Sequence, residues 1–204
     1  MAKGTLFIVS APSGAGKTSL LKALVETEDQ IKVSVSHTTR PRRPGEVEAV
    51  DYHFLDTTAF RQMIEAGEFL EHAEVFGNFY GTSEAGIRDQ LSSGNDVILE
   101  IDWQGAQQVR KRIPGTVSVF ILPPTPEALR QRLSGRGQDS EEVIKRRLAK
   151  AREEISHYAE YDYIVVNDLF EQALGELRSI ITSRRLTQAI QAERLQARLR
   201  SLLA

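Results

Sequence analysis

Apolar and polar positions along this chain fall into blocks that switch period. Thr5–Val9, Asp96–Asp102 and Thr116–Leu122 are nearly continuous apolar runs, the pattern of buried strands in a parallel sheet, and Tyr161–Asp168 reads as the last strand. Helical spacing follows each. It opens at about Ser19 after the first run, runs from about Ala106 to Lys111 after the second, and resumes after Pro126 and again after Asp168. Strand and helix in alternation predict an α/β fold with right-handed crossovers and helices on both faces of a parallel central sheet.

Between Ser34 and Gly86 the rhythm breaks into shorter pieces. Ile31–Arg40 alternates like a single strand, and Val50–Leu55 reads as a short one. Asp56 is placed to cap a helix over Thr57–Glu65, with Gly67 ending it. Glu68–Phe76 reads as a strand that would set Glu71 on one face with Phe69, Ala73 and Val75. Gly77–Thr82 reads as a turn, and a helix from about Ser83 to Leu91 stops at Gly94. The organisation predicted is one domain. Its core is about 1–33, 94–130 and 158–204, with a small mixed-strand insertion at about 34–93 and a helical lid at about 131–157. The lid reading rests on Arg130, Arg132 and Arg136 before a Gly135-Arg136-Gly137 break, then a second helix with Lys145, Arg146 and Arg147.

Composition narrows the function classes. The chain has 204 residues, 26 basic against 28 acidic, and no cysteine. Near-neutral charge gives no global attraction to nucleic acid or anionic membrane. Without cysteine there is no disulfide framework, thiolate nucleophile or Cys-based zinc site, which fits a reducing cytoplasm. No apolar run is long enough to span a membrane. The tail beyond Arg184 is basic and amphipathic, open to extending the last helix or to self-association as a homo-oligomer.

The most informative stretch is Ser10-Ala11-Pro12-Ser13-Gly14-Ala15-Gly16-Lys17-Thr18, lying between the first strand and the first helix. Gly14 and Gly16 let the backbone turn its N–H groups inward, and the helix adds the positive end of its dipole. Lys17 can reach terminal phosphates and the Thr18 hydroxyl can ligate Mg²⁺. Ala11 stands where the strict phosphate-loop pattern has its first glycine. Three arginines in Arg40–Glu46 make a second candidate anion site. Glu71, on an apolar face, needs either a ligand or a salt bridge to a nearby arginine. Glu100 and Asp102, at the C-terminal end of a central strand, suit Mg²⁺ positioning or base reading. Asp102-Trp103-Gln104-Gly105 also spells the D-x-x-G of GTPase switches, although no N-K-x-D accompanies it.

Taken together, these segments resemble guanylate kinase over nearly the full length. The most specific are Ser36-His37-Thr38-Thr39-Arg40, Gly77-Asn78-Phe79-Tyr80-Gly81-Thr82, Asp102-Trp103-Gln104-Gly105 and Arg132-Leu133-Ser134-Gly135-Arg136-Gly137. Bacterial members of that family are similar in tolerating alanine at Ala11. The resemblance implies a P-loop three-layer fold and transfer of a phosphoryl group from ATP to GMP with Mg²⁺, dGMP being a second acceptor. Ala11 through Thr18 would hold ATP, with Asn167 near the adenine and Lys17, Arg132, Arg136 and Arg147 on the donor phosphates. Ser36, Arg40, Arg43, Tyr52 and Tyr80 would hold the GMP phosphate, and Glu71, Thr82 and Asp102 would read guanine. Thr18 would ligate the metal, with Glu100 reaching it through water. A GTPase switch and a non-catalytic protein-interaction module remain the alternatives.

Overall fold

The computed structural model describes residues 3–75, 77–134 and 141–204. Five parallel strands form the central sheet: β1 (Leu6–Ser10), β2 (Ile31–Val33), β7 (Asp96–Glu100), β8 (Val117–Leu122) and β9 (Tyr163–Val166), in the order β2-β7-β1-β8-β9. Strand β1 shows why its run carries no alternation. Phe7 and Val9 face one buried layer while Leu6 and Ile8 face the other. On the first side lie α1 (Lys17–Thr27), through Leu20, Leu21 and Leu24, and α7 (Phe170–Arg185), through Ala173, Leu174, Leu177 and Ile181. On the second lie α3 (Glu84–Ser92), through Ile87 and Leu91, and α4 (Trp103–Arg112), through Ala106 and Val109. Helices therefore cover both faces, as the alternation predicts.

A second sheet of mixed direction has the order β4-β3-β6-β5, built from β3 (His37–Thr38), β4 (His53–Phe54), β5 (Phe69–Val75) and β6 (Asn78–Ser83). The helix expected behind Asp56 is α2 (Thr57–Glu65), and the Asp56 carboxylate accepts from the Ala59 amide at 2.8 Å. Two further helices, α5 (Pro126–Ser134) and α6 (Glu141–Ser156), pack on each other through Leu129, Leu133 and Ala151. The chain ends in α8 (Gln188–Arg194) and α9 (Gln196–Leu203).

Several expectations need correction. Ile31–Arg40 is two strands in different sheets. After Val33 pairs with Ile98 of β7, the chain leaves the central sheet, and His37 pairs with Gly81 of β6. Gly77–Thr82 is mostly strand, because Asn78–Ser83 pairs antiparallel along β5. The register of that pairing shifts between Phe69 and Glu71, an irregularity that breaks the strict alternation of faces. Glu71, Ala73 and Val75 share a face, but Phe69 turns away and stacks on Phe60. Strand β7 stops at Glu100, so Asp102 lies outside it and caps α4 instead. The tail does not extend α7, since the chain breaks at Leu186 and Thr187 into the two short helices.

The end of α7 is fixed to the sheet by charge. Asp96, 1% exposed, accepts from the Thr5 amide and from Arg185 Nε, both at 2.7 Å, and Arg185 also reaches Glu28 at 3.2 Å. A buried carboxylate held from two sides ties the start of the first strand, β7 and the end of α7 together.

Candidate active site

The phosphate loop and the second sheet face each other across one cleft of about 610 Å³. The loop's wall is Ala11, Pro12, Ser13, Gly14, Gly16, Lys17 and Thr18, and the opposite wall includes Ser36, Tyr52, Glu71 and Tyr80. Glu100 and Asp102 lie along it, and Arg132 and Glu154 join from α5 and α6. Residues far apart in sequence are thus brought to one space.

The loop holds its shape through its own backbone and two outside residues. Gly16 adopts φ 90°, and a Cβ there would stand 2.4 Å from Asn167 Nδ2. That amide nitrogen donates to the Ala15 carbonyl at 2.7 Å. Arg132 adds donors to the Ala15 carbonyl at 3.4 Å and the Asn167 carbonyl at 3.0 Å. Asn167 is buried and, like Ala15, does not line the cleft. Its amide braces the loop from behind, a role that spacing alone did not indicate.

Lys17 and Thr18 converge on one carboxylate. Thr18 Oγ1 donates to Glu100 Oε1 at 2.6 Å, and Lys17 Nζ lies 3.9 Å from the same oxygen. This is a hydroxyl, a carboxylate and an ammonium group at the start of a helix, where phosphate oxygens are favoured.

In the second sheet, Glu71 is 4% exposed. Among the described residues no cation pairs with it, so the salt-bridge alternative does not hold. Its partner is Thr82, which is buried behind the cleft wall and donates to Oε1 at 2.6 Å. Burial pushes the Glu71 carboxyl up to about 7, against the pull of that hydrogen bond and helped by the charge of Asp102. Ser36 Oγ lies 3.4 Å from Thr82 Oγ1, which extends the polar line along the wall.

Gly105 explains the D-x-x-G string. Asp102 Oδ1 accepts from the Gly105 amide at 3.0 Å, which caps α4, and a Cβ on Gly105 would come within 2.6 Å of Glu71 Oε2. The glycine is there because a carboxylate packs against the helix start. Gly105→Ala is expected to displace Glu71 and raise the KM for the acceptor about tenfold with the donor KM unchanged. Steady-state kinetics with each substrate varied in turn would check this, and equal changes in both would count against it.

The arginine loop is already engaged. Arg40 donates to Glu46 Oε1 at 2.6 Å and to the Pro41 carbonyl at 2.7 Å, and lies 5.4 Å from the centre of the Tyr52 ring. The Arg43 amide donates to the other Glu46 oxygen at 2.8 Å, and Arg42 reaches the Glu46 carbonyl. Neither Arg40 nor Arg43 lines the cleft. Tyr52 and Tyr80 stand at its edge with ring centres 6.1 Å apart. Burial, with the charge of Glu100, raises the Tyr52 phenol above its ordinary range and keeps it a donor.

On α6, Arg147 Nη2 donates to Ser13 Oγ at 3.0 Å. Arg136 lies outside the described residues. Glu46 and Glu154 are the residues sequence reasoning missed. Glu46 had a signal, since it closes the arginine-rich loop. Glu154 had none, because its approach to the loop is set by the packing of α5 and α6.

Comparison with known proteins gives these features a common setting. The family model described as guanylate kinase matches residues 3–184. The guanylate kinase of Saccharophagus degradans is 60% identical over 201 residues, covering 98% of this chain and 98% of that protein. That of Hahella chejuensis is 59% identical, covering 100% and 98%. The crystal structure of guanylate kinase from Anaplasma phagocytophilum superposes with a TM-score of 0.79 at 35% identity, over 97% of this chain and 96% of that one.

Proposed function

The chain belongs to the guanylate kinase family, nucleoside monophosphate kinases that transfer a phosphoryl group from ATP to GMP, and on that premise we propose how its residues divide the work. The GTPase and interaction-module alternatives are not favoured, since the match runs the whole length of catalytic relatives. The loop from Ala11 to Thr18 takes the ATP phosphates, with Lys17 on the group in transit. Arg132, Arg136 and Arg147 serve the donor side from the lid at about 131–157. The region at about 34–93 takes GMP.

The observation that carries the acceptor assignment is Glu71, a buried carboxylate facing the cleft with no cationic partner among the described residues. Guanine offers adjacent N1–H and N2 donors that pair with one carboxylate, whereas adenine has no N1 donor. Adenine would leave the buried group unpaired, a penalty that discriminates strongly. Thr82 orients Glu71, and Asp102 adds a second acceptor. Tyr52 and Tyr80 donate to the GMP phosphate beside Ser36. Arg40 reaches it by exchanging Glu46 for the phosphate, a trade of one anion for another that its guanidinium accepts, and Arg43 joins it from the same loop.

Magnesium is the ion this reaction implies, and the donors fit it. Thr18 Oγ1 and Glu100 Oε1 are hard oxygen ligands beside the phosphate loop, and Mg²⁺ is commonly held by one or two such groups together with substrate phosphates and water. When bound, it neutralises charge on the phosphates. The protein's own part is to align donor and acceptor, stabilise charge on the moving group and keep water away from it. We assign this activity to purine nucleotide recycling in the cytoplasm, where the cysteine-free composition is at home.

The test is ADP formation from ATP with GMP, dGMP, AMP, CMP and UMP offered separately. Turnover is expected with GMP and dGMP, with the other three at background. Absence of turnover with GMP would overturn the assignment.

A further inference from the structure

Helix α6 lays one face against the phosphate loop. Arg147, Lys150 and Glu154 recur at the spacing of a single helical face, and with Ser13 they enclose a cavity of about 30 Å³. The two ends of this face take different parts of Ser13. Arg147 donates to its hydroxyl at 3.0 Å, while its backbone amide donates to Glu154 Oε2 at 3.3 Å.

Cations are expected beside a triphosphate site. Beyond Glu100, which suits the metal ion, a carboxylate is not, and Glu154 lines the large cleft itself. Ser13 belongs to the loop whose amides turn toward phosphate, and a carboxylate oxygen accepts from such an amide as a phosphate oxygen does. The groups facing Glu154 are Lys150 on its own helix, Lys17 on α1, the Ser13 amide and Asp102 before α4. Burial, helped by the charge of Asp102, outweighs the two lysines and the amide and raises its carboxyl above the ordinary range.

We propose that Glu154 occupies the Ser13 amide in place of a phosphate oxygen, so that the incoming triphosphate must displace it in order to bind. Displacement frees α6 from its carboxylate contact while Arg147 and Lys150 stay drawn to the phosphates. Donor binding thereby resets the helix that carries the arginines. The inference rests on the reading of this loop as the ATP-phosphate site.

The experiment is titration calorimetry of MgATP and, separately, of GMP into wild type, Glu154→Ala and Glu154→Gln. Removing the competing carboxylate is expected to tighten MgATP binding about 3–10-fold in the alanine variant, the effect of one modest hydrogen bond. GMP affinity is expected to stay unchanged. Glutamine keeps an acceptor for the Ser13 amide but loses the charge, so it should tighten MgATP binding by less. A merely structural tie gives the opposite sign, since loosening the loop weakens ATP binding. Unchanged or weaker MgATP binding by Glu154→Ala, with wild type binding normally, overturns the proposal. Should that variant fail to fold in a thermal melt, Glu154→Gln decides by the same criterion. Failure of wild type itself to bind MgATP would instead overturn the reading of the loop.

Discussion

Lys17→Ala is expected to lower kcat about 10³-fold while leaving GMP affinity unchanged, because the ammonium group acts on charge that develops during transfer. Lys17 leaves the loop at the first position of α1 and faces the cleft, with Nζ 3.9 Å from Glu100 Oε1. On the proposed assignment, that position would bring it to the terminal phosphate of a donor held on the loop amides. Phosphoryl transfer asks little covalent chemistry of the protein, so losing one well-placed cation removes much of what the protein supplies. The fold should tolerate the change. The Lys17–Glu100 contact is long and partly exposed, worth less than about 1 kcal/mol, and Glu100 keeps its bond from Thr18. Steady-state kinetics together with GMP titration separate the outcomes. Unchanged turnover would remove Lys17 from the mechanism, and a parallel loss of GMP binding would mean the variant is misfolded.

The donor half of this site was legible because its signals are local. A strand, a glycine turn, Lys-Thr and a helix lie within one short stretch, and backbone geometry follows from those residues. The acceptor half was legible only in its chemistry. Glu71, Tyr80 and Thr82 were identifiable by residue type and resemblance, but not the sheet that carries them, nor that Arg40 and Tyr52 flank its strands. Gly77–Thr82 looks like a turn in isolation, since the strand Asn78–Ser83 is defined by pairing with β5 rather than by its own period. The irregularity near Leu70 is likewise a property of two strands together. It puts Phe69 against Phe60 and leaves Glu71 in the cleft.

Long-range polar contacts were illegible for the same reason. Asn167 bracing the Ala15 carbonyl and Glu154 on the Ser13 amide each join residues more than a hundred positions apart. No spacing rule connects them, and only the parallel sheet and the docking of α6 make them neighbours. Gly105 was visible, but its reason was not. Its segment also spells the D-x-x-G of a GTPase switch, whereas here it belongs to the guanylate kinase resemblance and the missing side chain makes room for a carboxylate.

That carboxylate governs the other large effect. Glu71→Gln is expected to weaken GMP binding about 10²–10³-fold, since it removes a charged acceptor for two guanine donors and turns an amide N–H₂ toward them. ATP binding should be unaffected. The pH dependence identifies the cause. With its carboxyl at about 7 by burial, Glu71 is largely protonated below neutrality, and pairing with guanine requires the ionised form. GMP affinity in wild type should therefore fall as pH drops below 7, approaching tenfold per unit. The GMP phosphate itself titrates near about pH 6, but the glutamine variant shares that titration and lacks the one at Glu71. The difference between the two proteins isolates the side chain. Stability runs the other way. A carboxyl raised from 4.5 to about 7 on folding binds more protons in the native state, so the stability it contributes is full below 4.5 and is lost as pH rises through 7. At pH 8 the ionised, buried Glu71 burdens the free protein. Glu71→Gln is accordingly expected to raise Tm at pH 8 and to change it little at pH 5. A variant that binds GMP more weakly yet melts higher at alkaline pH marks a group kept for its ligand. Equal weakening of GMP and ATP, or a lower Tm at pH 8, would return Glu71 to a structural role.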